Sequence, residues 1–295
     1  MKPEQIFIGG PASAGTTLVA ILLNKHPEIW CGEEASIFDR PALFNMGGKR
    51  LGALMKVESY NELDQSMPYT ITIVNPQPMS YCGLASWRWQ DIWTTPRETI
   101  IEALESNYPP LEVIEEMMKD TLTKTDKTIW AEKSPGNVFC MGQLKRKFPS
   151  SKRLVVIRNP YDCIMSLCFH RNFSLNNAVM RWIVSMDAAI DAIIHYEAHV
   201  VNYDRLIHPD HQEEELHMLH YHLEVEDNQE ALSAITGEHN TWDRYKDQLG
   251  DGAVEVIKRS VVDLWERYCQ ELGIDEGDFE FPTHIELPTV DGEGI

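Results

Sequence analysis

Two short stretches carry residue types suited to binding phosphate. The first, Gly10-Pro-Ala-Ser-Ala-Gly15-Thr16-Thr17, follows the apolar run Ile6-Phe7-Ile8. It opens a stretch, Thr16–Lys25, in which Leu18, Ile21 and Leu22 recur at helical spacing. A G-x-x-x-x-G spacing between strand and helix is that of a phosphate-binding loop, with backbone N–H groups and the helix N-terminus facing an anion. The position that holds lysine in nucleotide triphosphatases is Thr16 here. The charge needed on β- and γ-phosphates is therefore missing, which argues against a kinase. In the second stretch, Arg158 ends the apolar run Val155-Val156-Ile157 and Ser166 follows eight residues later. A guanidinium fork and a hydroxyl at the carboxyl edge of a parallel sheet can hold a phosphate monoester jointly. The plainer alternative is a surface Arg158 paired with Asp162.

The elements that must position these groups alternate along the chain. Strands are predicted at Ile6–Gly9, Ile29–Cys31, Lys127–Ala131, Arg153–Ile157 and Val200–Tyr203. Between and after them, helices are predicted over Thr16–Lys25, Arg97–Ser106, Leu111–Thr123, Val138–Phe148, Pro160–His170 and Leu175–Glu197, and then near Asp210–Leu223, Asn228–Ile235 and Ala253–Leu272. Asn159-Pro160 supplies an N-cap followed by proline at the first helical position. This alternation predicts an α/β fold of P-loop-like type: a doubly wound, mainly parallel sheet flanked by helices, with its ligand at the carboxyl ends of the strands. One domain over residues 1–295 is expected. An irregular insert begins near Met46 and contains Trp87, Trp89 and Trp93, which suit either an acceptor pocket or core packing.

The composition, 43% hydrophobic and 24% charged, suits a single sizeable core. Six scattered cysteines with no C-x-x-C pair fit neither a zinc site nor a disulfide framework, so free thiols in a reducing compartment are expected. No signal peptide precedes Ile6 and no run of apolar residues is long enough to span a membrane, so a cytoplasmic protein is expected. The formal net charge is −20, from 46 acidic and 26 basic residues. Such a field repels nucleic acid and anionic membrane and would attract a cationic partner, although it serves solubility equally well.

Together the two stretches resemble the PAPS-dependent sulfotransferase family (PAPS, 3′-phosphoadenylyl sulfate). The closest similarity in motifs is to the tyrosylprotein sulfotransferase branch and its bacterial relatives. Gly15-Thr16-Thr17-Leu18, His26-Pro27-Glu28, Cys31-Gly32-Glu33-Glu34, Lys133-x-Pro135 and Tyr203-Asp204-Arg205-Leu206 all look like that branch. The resemblance covers residues 6–38 and 129–206, whereas the segment at about 46–125 and the C-terminal third match poorly. It implies that the loop residues Ser13, Ala14, Gly15, Thr16 and Thr17 face the 5′-phosphosulfate and that Arg158 and Ser166 hold the 3′-phosphate. Tyr203 would lie near the nucleotide, Lys133 would neutralise charge on the leaving phosphate, and 3′,5′-ADP would be the product. No metal is implied. Glu34 would be the base on the acceptor, with Glu33 and His170 as alternatives. A base within hydrogen-bond reach of the nucleophile is what sulfuryl transfer requires, by analogy with phosphoryl transfer.

The chain departs from the family pattern at the loop. The family usually has arginine or lysine where Ser13 stands, and serine where Ala14 stands, so this loop holds no cation. That departure raises the alternative of a non-catalytic, nucleotide- or partner-binding relative of the fold. The family's C-terminal cofactor loop has Gly237–Tyr245, with Trp242, as its best candidate. The expected acceptor is a small molecule bearing a hydroxyl or an amine, and a cationic one would suit the acidic pair Glu33-Glu34.

Overall fold

The computed structural model describes residues 4–32, 34, 38, 93–106, 108–236, 241–249 and 251–272. Among the described residues five strands run in parallel in one sheet: β1 (Gln5–Gly9), β2 (Ile29–Cys31), β3 (Ile129–Lys133), β4 (Lys152–Ile157) and β5 (His199–Asn202). Their spatial order is β2-β3-β1-β4-β5, which puts β1 in the middle with β3 and β4 at its sides. All five carboxyl ends therefore open on one edge.

The period of two along each strand divides the core between the two faces of the sheet. Ile6, Ile8, Ile129, Ala131, Leu154 and Val156 point to one face, where α1 (Thr16–Lys25) and, late in the chain, Leu216, Leu219 and Leu223 cover them. Phe7, Trp130, Val155 and Ile157 point to the other. That face is covered by α2 (Arg97–Glu105), α3 (Pro110–Thr125), α4 (Met141–Lys147), α5 (Pro160–Arg171) and α6 (Leu175–Tyr196). After β5 come α7 (Tyr203–Ile207), α8 (Gln212–Leu223), α9 (Thr241–Tyr245) and α10 (Asp251–Leu272). Burial on both faces explains why the strands read as near-continuous apolar runs. The doubly wound α/β architecture predicted from the alternation is the one observed.

The helix predicted near Asn228–Ile235 is a 3₁₀ helix, Gln229–Ala234, and three further differences from the sequence reading bear on the edge where the carboxyl ends meet. The third strand runs through Glu132 and Lys133, polar residues that read as loop but are buried and hydrogen-bonded. The predicted helix Val138–Phe148 is a 3₁₀ turn, Pro135–Phe139, followed by α4, because Cys140 leaves helical geometry at φ −130°, ψ 12°. Tyr203 starts α7 instead of ending β5: the Asn202 side chain accepts from the Asp204 and Arg205 N–H groups and so caps a helical turn there.

Trp93 stacks on Trp130 at 5.6 Å and is buried, so it packs in the core. Trp87 and Trp89 lie outside the described residues. Cys31, Cys140, Cys163, Cys168 and Cys269 form no disulfide among the described residues. Among the described residues no helix is long and apolar enough to cross a membrane.

Candidate active site

The loop after β1 is shaped by its glycines. A Cβ on Gly10 would lie 2.5 Å from the Val156 carbonyl oxygen, so the chain can leave β1 this close to β4 only without a side chain. Ser13 adopts a left-handed φ of 68° and Gly15 one of 95°, and the Ala14 N–H donates to the Pro11 carbonyl to close the turn. Gly15 is the N-cap of α1 and offers no side-chain cap, so the first N–H groups of the helix keep the orphan-donor character that suits an anion. Thr16 is buried, whereas Thr17 is exposed at the mouth. Ala14 packs into the core beneath the loop.

A cation reaches this loop from each flanking strand. Lys133, the last residue of β3, donates to Thr17 Oγ1 at 3.4 Å and pairs with Glu34 Oε2 at 3.2 Å. Its side chain is 4% exposed, against 47% for Glu34, so the carboxylate faces solvent and the ammonium faces the loop. On the other flank Arg158, directly after β4, donates from Nη1 to the Ser13 carbonyl at 3.3 Å. Its guanidinium lies 4.7 Å over the Tyr203 ring, and the same ring fills the space beside Gly15.

Arg158 is not on the surface. It is buried and sits 3.6 Å from Asp162, itself largely buried. Burial pushes the Asp162 carboxyl above its usual range, while Arg158 and the Trp242 and Thr241 backbone N–H groups pull it down. Asp204, which accepts the Asn159 N–H at 2.7 Å, is pushed up to about 6, also by burial. The short α9 docks on the same group: Thr241 Oγ1 accepts from Arg158 Nη2 at 3.2 Å, and the Trp242 N–H donates to Asp162 at 2.6 Å. These contacts come from the Gly237–Tyr245 segment named above, of which residues 237–240 lie outside the described residues.

Two candidates make no described contact with Lys133, Glu34 or Arg158. Ser166 lies on α5, half-buried, and makes no hydrogen bond among the described residues. It stands six residues beyond Pro160, about 9 Å along the helix axis. His170 is about 15 Å along the same axis, packed edge-on against Tyr245, with no described contact to Lys133 or Glu34. Glu33 lies outside the described residues. Reading the sequence missed Asp162 as an anchor for α9, and it missed the buried pair Glu132 and Asn137 beneath Lys133. The only signal for that pair was an acidic residue at the end of an otherwise apolar strand.

Among the described residues no group of three or more histidine, cysteine or acidic side chains could hold a metal ion. A backbone loop with a buried cation on each side and a solvent-facing carboxylate beside Lys133 has the donors and charge to hold an anion.

A family model described as "Sulfotransferase family" matches residues 3–238. Protein-tyrosine sulfotransferase 2 of Gallus gallus is 38% identical over 61 residues, 20% of this chain and 16% of that protein. Protein-tyrosine sulfotransferase A of Caenorhabditis elegans is 51% identical over 35 residues, 12% of this chain and 9% of that one. Among solved structures, the sulfotransferase domain from the Synechococcus PCC 7002 olefin synthase superposes with a TM-score of 0.56 at 17% identity, covering 91% of this chain and 95% of that one. The sulfotransferase domain from the curacin biosynthetic pathway gives 0.53 at 20% identity, covering 81% and 80%.

Proposed function

This chain belongs to the sulfotransferase family, and we propose that it moves a sulfuryl group from PAPS onto a hydroxyl or amine of a small acceptor. The observation that carries this reading is the pair of buried cations from different strands, Lys133 and Arg158, each bonded to the loop after β1. In a chain of net charge −20 whose loop has no cation of its own, two buried cations at one sheet edge mark a place built for anions.

The residues present fit a nucleotide with phosphate at two ends. The N–H groups at Gly15, Thr16 and Thr17, with Lys133, would hold the 5′-phosphosulfate. Arg158, beside the Tyr203 ring, and Ser166 on α5 would hold the 3′-phosphate. PAPS, when bound, supplies an activated sulfur–oxygen bond to a phosphate leaving group. Lys133 would set its ammonium against the phosphate oxygen on which negative charge develops, which would compensate for the cation missing at Ser13. Glu34 takes the proton lost by the acceptor hydroxyl or amine as that atom bonds to sulfur. Because Glu34 already touches Lys133, base and charge-stabilising group are held on one side of the loop. A cationic acceptor suits both the exposed Glu34 and the overall field. No metal takes part in this reading.

The test is calorimetric titration with 3′,5′-ADP and with ATP, followed by transfer of labelled sulfate from PAPS to a panel of acceptors. Binding of 3′,5′-ADP in preference to ATP together with label transfer supports the proposal. Preference for ATP, or no binding of either nucleotide, rejects it. Binding without transfer to any acceptor would return the non-catalytic reading.

A further inference from the structure

The carboxyl end of β3 contains a buried acid that the reaction does not use. Glu132 is 2% exposed and points to the face of the sheet that holds Phe7 and Trp130, where an apolar residue would pack without cost. A carboxylate is tolerable there only if it is hydrogen-bonded, and it is: the Ser134 hydroxyl and the Asn137 amide both donate to it. The second hydrogen of the Asn137 amide goes to the Ile8 carbonyl at 3.0 Å. That carbonyl also accepts the Ser134 N–H at 3.1 Å, and just beyond it the Gly10 N–H donates to the Pro135 carbonyl at 3.2 Å.

These bonds extend the pairing of β1 and β3 past the end of the ladder, where Ile8 is in register with Lys133. The residues on both sides of Lys133, Glu132 and Ser134, are thereby tied to the strand that feeds the loop. Since both partners of the Asn137 amide nitrogen are acceptors, its orientation is determined. The tight 3₁₀ turn Pro135–Phe139 is the geometry that lets a side chain at 137 reach back to both strands.

We infer that Glu132 and Asn137 are positioning residues that lock the backbone of Lys133 to the entry of the loop, so that its ammonium is held in place for the transfer step. Neither residue meets the reactants, and both act through Lys133. The inference rests on the proposed function for its kinetic arm but not for its structural one.

The structural arm is amide hydrogen exchange of Asn137→Ala. Exchange at Gly10 and Ser134 should rise about tenfold or more while α8, on the far face, stays unchanged. Unaltered exchange at both amides overturns the bracket whether or not the protein transfers sulfate. In the kinetic arm, Asn137→Ala should lower kcat about 10²-fold, as expected for a group misplaced by about 1 Å, with 3′,5′-ADP affinity kept within about threefold. Glu132→Ala should behave alike, and Glu132→Gln should recover most of the loss, because its amide can accept from Asn137 and donate to Ser134. In a Lys133→Ala background, Asn137→Ala should cost nothing further. An equal loss in both backgrounds would show a general structural role and sink the inference. Should Asn137→Ala give no cooperative melt, Ser134→Ala, which removes one bond to Glu132, takes its place in both arms. Failure of wild-type protein to bind 3′,5′-ADP would count against the proposed function alone.

Discussion

Gly15 and Tyr203 adjoin so closely that a Cβ at position 15 would lie 2.1 Å from Cδ2 of the Tyr203 ring. The other side of the story is Arg158, whose guanidinium rests over the same ring. One aromatic side chain at the start of α7 thus sets the spacing between the loop after β1 and the cation after β4. Burial pushes the Tyr203 phenol above its ordinary range, so it stays neutral at physiological pH.

Gly15→Ala meets two separate penalties. The left-handed φ of 95° strains any residue with a Cβ, at about 1–3 kcal/mol, and the ring must also move. Urea unfolding should show the single variant destabilised, and Gly15→Ala combined with Tyr203→Ala should recover the steric part but not the backbone part. Full additivity of the two substitutions would show that the ring contact carries no energy.

Arg158→Ala should weaken 3′,5′-ADP binding by roughly 10–100-fold, from loss of charge-assisted bonds of about 1.5–3 kcal/mol each. It also strips Asp162 of its counter-charge, which by itself lowers stability at neutral pH. Adding Asp162→Asn should restore the melting temperature and leave the affinity low. Restored affinity would remove Arg158 from the nucleotide site.

Glu34→Gln should preserve nucleotide affinity and reduce turnover by roughly 10²–10⁴, the usual range for loss of a general base. Single-turnover assays with saturating acceptor separate this from an acceptor-binding effect. Near-normal turnover would transfer the role to Glu33 or His170.

Acid should destabilise the protein through histidines on the face opposite Phe7. His199 and His222 stack at 4.4 Å, and burial lowers both pKa values; His222 falls to about 4, with His199, Lys152 and Arg153 adding to the effect. Burial lowers His220 as well. For these groups the folded state resists protonation while the unfolded chain binds the proton near 6.5. Stability is therefore complete above that value and is lost as pH falls from there to about 4, by at most about 3 kcal/mol for His222. Urea midpoints measured across this window should fall, and His222→Phe should flatten the slope. An unchanged slope would show that His222 titrates normally.

If the negative field steers a cationic acceptor, kcat/KM for that acceptor should fall as salt rises, because screening shortens the field to about 8 Å at physiological ionic strength. Equal, salt-independent use of neutral phenols and alcohols would reject a cationic acceptor.

The local pattern determined much of this protein. Apolar runs between turn residues placed all five strands. Gly10–Gly15 between a strand and a helix announced the loop, and Asn159-Pro160 announced the start of α5, where Asn159 does accept the Tyr161 N–H. These features follow from propensities and periods that act over a few residues. The family motifs likewise pointed to Lys133, Glu34 and Arg158 as one site.

What the tertiary structure alone decided is how residues far apart in the chain constrain each other. Lys133 meets Glu34 across 99 residues and Arg158 meets Ser13 across 145, contacts that no local period encodes. The strand order that sets β1 between β3 and β4 puts a cation on each side of the loop. The same proximity makes Glu132 and Lys133 strand residues although their polarity reads as loop, because Thr17 at the start of α1, Glu34, and Ser134 and Asn137 after β3 satisfy the polar groups that burial would otherwise penalise.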